Sequence, residues 1–409
     1  MTVYVLDTNT TGSGLDIIRS DKQKRVLVTD NREKYARDLN FSALQDSIVV
    51  DNAAFELSLN TGNWPHGKPT CIISNSDSCL KKAAEYSLLL DLPAPSPSDL
   101  DLYMNKHQFR QRSRLLGLPS PGFNECFTTD EALHAAGSMS FPLVVKPTYG
   151  TGSIGVTLCN EPHEVRAAAE RALAYTRSES VLLEEFIYGP LYSAEIVIDV
   201  HGKITLLGFT NRELSPPPYF VETAYTFPVP LDNRFAQKLN EQIAKLHSSG
   251  SSMMMHVEFI IDLKKDNVVI VEINPRVGGG MLSRMISEKL RSNVFDIFIS
   301  AWMQQPAAVP PSGHTESMSH FWIYASESGC VSFDEKKLDL LALPCVYHQH
   351  LYVKPGDRVE KPQDFTGPLL SLLIKSADPQ LVQDTRKYLE SYLTSEFNYE
   401  TSDPKTATV

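Results

Sequence analysis

Between His256 and Gly280 the chain reads HVEFIIDLKKDNVVIVEINPRVGGG, two runs of alternating apolar and polar residues joined by the polar turn LKKDN, which predicts a β-hairpin. With the turn centred on Lys265, Glu258 and Glu272 are equidistant from it. They then oppose each other on one face of the ladder, with Cβ atoms roughly 4.5–5.5 Å apart. Alternation along the second run adds Asn274 and Arg276 to that face. Near the N-terminus the texture differs: VYVLD, RVLVTD, SIVVD and TCIIS read as short strands, with GLDIIRS and KKAAEYSLLLDL as helices. That β-turn-α rhythm predicts a small parallel-sheet, Rossmann-like domain.

PAPSPSD marks a proline-rich boundary near residues 93–99, and a helix carrying NKHQFRQRSRLLG ends at Gly117. Its Arg110, Arg112 and Arg114 read as a solvated basic face. FPLVVKPTYGTGSIGVTLC follows as strand, glycine-rich loop and strand; PHEVRAAAERALAYTRS is a helix, and VLLEEFIYGPLYSAEIVI two strands around a Gly-Pro turn. NRELSPPPYFVETAYTFP is too proline-rich for a regular element and reads as a long loop, whereas FAQKLNEQIAKLHSSG is an amphipathic helix. Beyond residue 305, QQPAAVPPSG is a linker, HFWIYAS, CVYHQHLYV and GPLLSLLIKSA are strand-like, and DPQLVQDTRKYLESYL is a closing helix. The fold class is therefore mixed α/β and α+β. The segments are 1–97, a parallel-sheet domain; 98–305, a central region with a subdomain about 126–195 and a larger one about 196–305; 306–398, a β-rich lobe; and 399–409, a disordered tail.

A formal net charge of −11 over 409 residues argues against a broad nucleic-acid or membrane surface. No apolar run approaches the roughly 18–20 residues of a spanning helix. The N-terminal MTVYVLDTNTTGSG has no basic region followed by an apolar core, so no secretory signal is expected. The six cysteines are scattered without metal spacing and read as reduced thiols of a cytoplasmic protein.

Two carboxylates as close as Glu258 and Glu272 repel unless a positive charge sits between them. With Asn274 they make an oxygen-only set suited to Mg²⁺, with Mn²⁺ as the alternative; Arg276 and the triple glycine that follow argue against a mere surface hairpin with solvated charges. Lys146 stands at the end of an apolar strand, beside a loop in which Gly150, Gly152 and Gly155 allow close backbone approach and Thr151 and Ser153 offer hydroxyls, which suits phosphate as well as a plain turn. The backbone of Glu185 to Ile187 could meet an adenine ring, although Phe186 and Ile187 are more often core residues. Glu195 lies in an apolar strand and needs a partner if buried. Gly279 and Gly280 precede a helix whose N-terminus could receive a carboxylate, or form a tight turn only. Arg276 carries a fork that matches phosphate or carboxylate. His256 reads as a packed histidine. Asp77 and Glu222 stand in loops that could select a substrate, or are a helix cap and a solvated acid. No GxGxxG, nucleophile elbow or zinc pattern is present.

The order NKHQFR, VVKP with GTGSIG, LLEEFI, SAEIVI, HVEF and VEINPR resembles the ATP-grasp superfamily of carboxylate–amine ligases over roughly residues 1 to 375. The resemblance implies that Lys106 and Lys146 contact ATP phosphates under a lid loop from Thr151 to Gly155. Glu184, Glu185, Phe186 and Ile187 would hold adenine, and Glu195 matches an acid near the nucleotide. Glu258, Glu272 and Asn274 match the Mg²⁺ ligands, and Arg276 the arginine that steadies the phosphoryl group. Where D-alanine ligases carry a ribose-binding Glu after the Gly-Pro turn, this chain has Leu191, which sets it apart from them. The size, the NPRVGGG run and the PPPYFVETAYTFP loop most resemble the L-amino acid ligases, implying dipeptide formation through an acyl phosphate. The amino acid substrates would then meet Glu222, Arg276, Gly279 and Gly280. A carboxylase using bicarbonate and a non-catalytic ATP-binding module are the alternatives, and a homodimer is compatible with all three.

Overall fold

The computed structural model describes residues 1–20, 22–175, 179–247, 250–311 and 316–400. The chain forms two compact units, each discontinuous in sequence. The first takes in Met1–Ser120, Ile187–Phe209 and Pro230–His314; the second takes in Pro121–Phe186, Thr210–Val229 and Thr315–Val409.

The first unit opens as the sequence pattern predicts. Strands β1 (Thr2–Leu6), β2 (Lys24–Val28), β3 (Ile48–Val50) and β4 (Cys71–Ile73) make a parallel sheet in the order β3-β2-β1-β4. Val3, Val5, Val26, Leu27, Ile72 and Ile73 are inaccessible to solvent, as expected of strands covered on both faces. GLDII forms a 3₁₀ turn rather than an α-helix, and the buried Asp38 carboxylate accepts the Leu15 N–H within it. The helices are α1 (Asn52–Thr61), α2 (Leu80–Leu89), α3 (Pro97–Met104) and α4 (Lys106–Leu115). No sequence pattern announced α1; it is defined by its ends, an Asp51 cap on Ala54 and Gly62 at a φ of 71°.

The second unit begins with β5 (Phe123–Cys126), α5 (Thr129–Ala136), β6 (Leu143–Pro147), β7 (Thr157–Cys159), α6 (Val165–Leu173) and β8 (Val181–Glu185). The four strands form an antiparallel sheet in the order β5-β8-β6-β7. Alanines 168, 169 and 172 let α6 lie close against Val145 and Leu183 in its core.

Strand β9 (Leu191–Ile198) returns to the first unit, and β10 (Ile204–Leu214) passes from the first unit into the second at Phe209. β11 (Glu222–Val229) is a second-unit strand. These two strands correct the reading of NRELSPPPYFVETAYTFP as one long loop: only residues 215–221 lie between them. The three prolines Pro216–Pro218 sit in that turn. On the other side of β11 the pairing ends at Phe227, so the missing N–H of Pro228 removes no bond there. Helix α7 (Asn233–Leu246), strands β12 (Met253–Asp262) and β13 (Asn267–Asn274), and helices α8 (Leu282–Leu290) and α9 (Val294–Trp302) complete the first unit. The order there is β13-β12-β9.

In the second unit β14 (Ser317–Ile323), β15 (Gly329–Ser332), β16 (Val346–Leu351), β17 (Leu370–Ser376), α10 (Pro379–Glu396) and β18 (Asn398–Glu400) follow. Strand order runs β11-β14-β17-β16, and Leu389 and Leu393 of α10 pack with Phe321, Leu370 and Leu372. Tyr399 and Glu400 thus belong to a strand, while the rest of the expected tail, 401–409, lies outside the described residues. Among the described residues no helix is long and apolar enough to cross a membrane.

Candidate active site

In the first unit β12 and β13 form the hairpin read from the alternating pattern, and Glu258 is paired with Glu272 and His256 with Asn274. The register is less regular than the sequence suggests. Beyond Glu258 the pairing shifts to Phe259 with Ile270, so Val271 is an extra residue held in a bulge. Lys106, at the start of α4, places Nζ 2.9 Å from Glu272 Oε2, and Asn274 Nδ2 donates to Glu272 Oε1 at 2.8 Å. His256 is bonded through Nε2 to Glu258 Oε1 at 3.2 Å and through Nδ1 to Glu195 Oε1. Glu195 is fully buried on β9, opposite His256, which supplies the partner its burial demands.

The donor chemistry at this face fits a hard divalent ion. Two carboxylates stand on neighbouring strands, and Asn274, its amide nitrogen turned to Glu272, keeps its oxygen as a donor. Among the described residues there is no cluster of three or more His, Cys, Asp or Glu side chains able to hold a metal. A set of two Glu and one Asn would need further oxygens from water or phosphate, as Mg²⁺ sites commonly do.

Arg276 lies at the end of the same segment, and its fork is filled. Nε and Nη2 donate to the two oxygens of Asp77 at 2.5 and 2.7 Å, and Nη1 donates to Val277 O. Burial pushes the Asp77 carboxyl up, but the adjacent guanidinium outweighs it and holds the group below the ordinary value; Arg276 is raised in turn by the same pairing. Asp77 is thus neither a helix cap nor a free loop acid. Gly278 faces His256 and Glu195, Gly279 faces Asn9, and Gly12 packs on Gly280 so tightly that a Cβ on Gly12 would lie 2.2 Å from the Gly280 carbonyl. Ser13 N–H donates to Gly280 O at 3.1 Å, which fixes the glycine run ahead of α8.

In the second unit Lys146, the penultimate residue of β6, places Nζ 2.7 Å from Glu184 Oε2 on the neighbouring strand, both side chains buried. The following loop takes positive φ at Gly152, Ser153 and Gly155, with Thr151 accepting from Ile154 N–H. The N–H groups of Glu185 and Phe186, offered above to an adenine ring, are engaged by Gly122 O and Pro142 O. Phe186 stacks on Phe220, and Ile187 is half-buried at the point where the chain re-enters the first unit. Glu222 is not a solvated acid: Arg212 Nη2 lies 2.6 Å from its Oε1.

Two residues of the first-unit cluster escaped the sequence reading. His256 joins two acids rather than merely packing. Arg110, expected on a solvated face, is 2% exposed and donates to the carbonyls of Ile270 and Val271. Its position one helical turn after Lys106 was the available signal, because i and i+4 share a face. Arg114 is exposed as expected.

Residues 139–284 match the ATP-grasp domain family. Over 281 residues the chain is 27% identical to protein y4rH of Sinorhizobium fredii, covering 67% of this chain and 57% of that one. It is 23% identical over 265 residues to the carbamoyl phosphate synthase large chain of Buchnera aphidicola, covering 63% and 24%. The chain thus spans little more than half of the first relative and a quarter of the second. The L-amino acid ligase of Bacillus licheniformis superposes with a TM-score of 0.76 at 17% identity, covering 98% of this chain and 99% of that one, a likeness of fold. Residues 139–284 thus match the ATP-grasp domain, and the chain shares its fold end to end with an L-amino acid ligase.

Proposed function

We propose that the protein is an ATP-dependent carboxylate–amine ligase that joins two L-amino acids into a dipeptide, releasing ADP and phosphate. The observation that carries this reading is the facing pair Glu258 and Glu272, with Asn274 beside it and Lys106 on one acid. The fold shared with an L-amino acid ligase supports the substrate class. Mg²⁺, held by Glu258, Glu272 and Asn274, would neutralise the phosphate charge that builds as the terminal phosphoryl transfers. Positioning does most of the remaining work in phosphoryl transfer. Lys106 and Lys146 would meet the phosphates, and the loop from Thr151 to Gly155 would close over them through its N–H groups.

One substrate's carboxylate oxygen attacks the γ-phosphorus and ADP leaves, giving an acyl phosphate. The second substrate's amine attacks the acyl carbon, an amine proton departs, and phosphate leaves with the C–O bond pair. Water competes for the acyl phosphate, so loop closure protects it. Arg276, clamped by Asp77, would act by tying the end of the metal strand to the turn that follows β4. Gly279, Gly280 and Glu222 would bound the amino acids.

The test is phosphate release over all amino acid pairs with Mg-ATP, with mass analysis of products. Glu272→Ala should reduce turnover at least a hundredfold. Phosphate release that requires bicarbonate and no amino acid would replace this reading with a carboxylase.

A further inference from the structure

The hairpin that carries the paired acids contains one residue too many. Pairing is regular from Asp262–Asn267 to Phe259–Ile270, and continued in that register it would set Val271 opposite Glu258. Side chains alternate along a strand, so a one-residue slip turns Glu272 to the other face. The bulge absorbs Val271 and restores the pairing of Glu258 with Glu272 and of His256 with Asn274. A bulge disrupts the local ladder and leaves backbone groups in need of partners. Arg110 supplies them: Nη1 donates to Ile270 O at 2.6 Å and Nη2 to Val271 O at 3.2 Å. The guanidinium is buried, and Lys106, on the same face of α4, holds the Glu272 carboxylate itself. The two cations of one helix thus grip the backbone at the bulge and the acid that follows it.

We infer that Arg110 is a positioning residue that locks the Val271 bulge and so sets the register in which Glu258, Glu272 and Asn274 face one ion. It touches neither ion nor substrate, and its role rests on the metal reading of these acids proposed above. A rigid fork with two parallel donors suits two adjacent carbonyls, which a lysine's single ammonium cannot span in the same way.

The test is Mn²⁺ binding in the presence of ADP, read from the electron paramagnetic resonance of the free ion, with hydrogen exchange of the segment 266–276 and metal-free ADP binding alongside. Wild-type protein that binds no Mn²⁺ would sink the metal reading itself. Given wild-type binding, Arg110→Met should weaken Mn²⁺ at least tenfold and speed exchange in 266–276, while metal-free ADP binding stays within twofold. Arg110→Lys should recover only part of the loss. Deleting Val271 removes the residue the bulge must absorb, so the double variant Arg110→Met with Val271 deleted should regain Mn²⁺ affinity. Folded Arg110→Met that binds Mn²⁺ like wild type, or a double variant no better than Arg110→Met, would overturn the inference. If Arg110→Met does not fold, Arg110→Lys with and without Val271 decides it in the same way.

Discussion

Asp38 and His320 show how single buried groups pull stability in opposite directions. Burial raises the Asp38 carboxyl to about 7, against the N–H bonds from Asn40 and Leu15 that lower it. Burial lowers the His320 imidazole to about 3. Between roughly pH 4 and 7 folded Asp38 keeps a proton that the unfolded chain has lost, so its stabilisation is present at low pH and fades as pH rises through 7. His320 runs the other way: below about pH 6.5 the unfolded chain takes a proton that the folded chain refuses, so stability falls as pH drops toward 3. Leu15 and Asn40 donate to different oxygens of Asp38, so Asp38→Asn keeps an acceptor for only one of them, but it cannot ionise. Its stability relative to wild type should therefore be greatest near pH 8 and decline toward pH 5, by an amount on the order of a few kcal/mol. Denaturant unfolding of both proteins at the two pH values measures this, and parallel curves would refute it. At this scale the sequence was only partly legible. Counting from a turn centred on Lys265 paired Glu258 with Glu272, but the observed turn register reaches that pair only through the Val271 bulge, which no local pattern announced. Arg110 and Arg114 share the same helix and the same chemistry, yet one is 2% exposed and the other exposed. What separates them is a strand about 160 residues further along the chain.

Among elements, the glycine-rich loop from Thr151 to Gly155 was visible in the sequence, but what supports it was not. Within the second unit Phe365 lies against Gly152, where an added Cβ would come within 2.1 Å of the Phe365 ring, and Phe365 N–H donates to Gly152 O at 3.4 Å. Arg171 of α6 donates to Gln363 O at 2.7 Å and to Val156 O at 3.1 Å, and stacks over Tyr219 with 4.5 Å to the ring centre. Leu158 N–H reaches Pro218 O at 2.9 Å. The proline turn and the segment 363–365 thus brace the loop from separate parts of the sequence. Neither carries a local signal of that role, since aromatic and proline residues in a polar stretch fit a plain turn equally well. Phe365→Ala leaves the fold's cores intact but removes this brace. The Michaelis constant for ATP should rise several-fold with a smaller change in kcat, and hydrogen exchange in 148–157 should accelerate. An unchanged constant together with unchanged exchange would show that the loop holds itself.

For the molecule as a whole, βα alternation made the N-terminal parallel sheet legible, because each crossover joins neighbours in sequence. The interleaving of the two units was not legible. β11 pairs with β14 through partners such as Tyr225 and His320, and such distant pairings leave no local pattern. Consecutive segments read from composition therefore carry no information on which strands share a sheet. Interleaving also has a thermodynamic consequence, because neither unit is a contiguous piece of chain and ligand binding must be read on the intact protein. A ligand that binds only the folded chain stabilises it by about 2.7 kcal/mol at a hundredfold excess over its dissociation constant. ADP with Mg²⁺ should then raise the melting temperature by a few degrees at that excess. If Glu258 and Glu272 hold the ion while other groups hold the nucleotide, the double variant Glu258→Gln, Glu272→Gln should lose the increment that Mg²⁺ adds and keep the shift produced by ADP alone. Thermal unfolding of both proteins with ADP, with and without Mg²⁺, separates the two contributions. Retention of the full Mg²⁺ increment by the double variant would move the ion away from the hairpin, and with it the reading of the paired acids as its ligands.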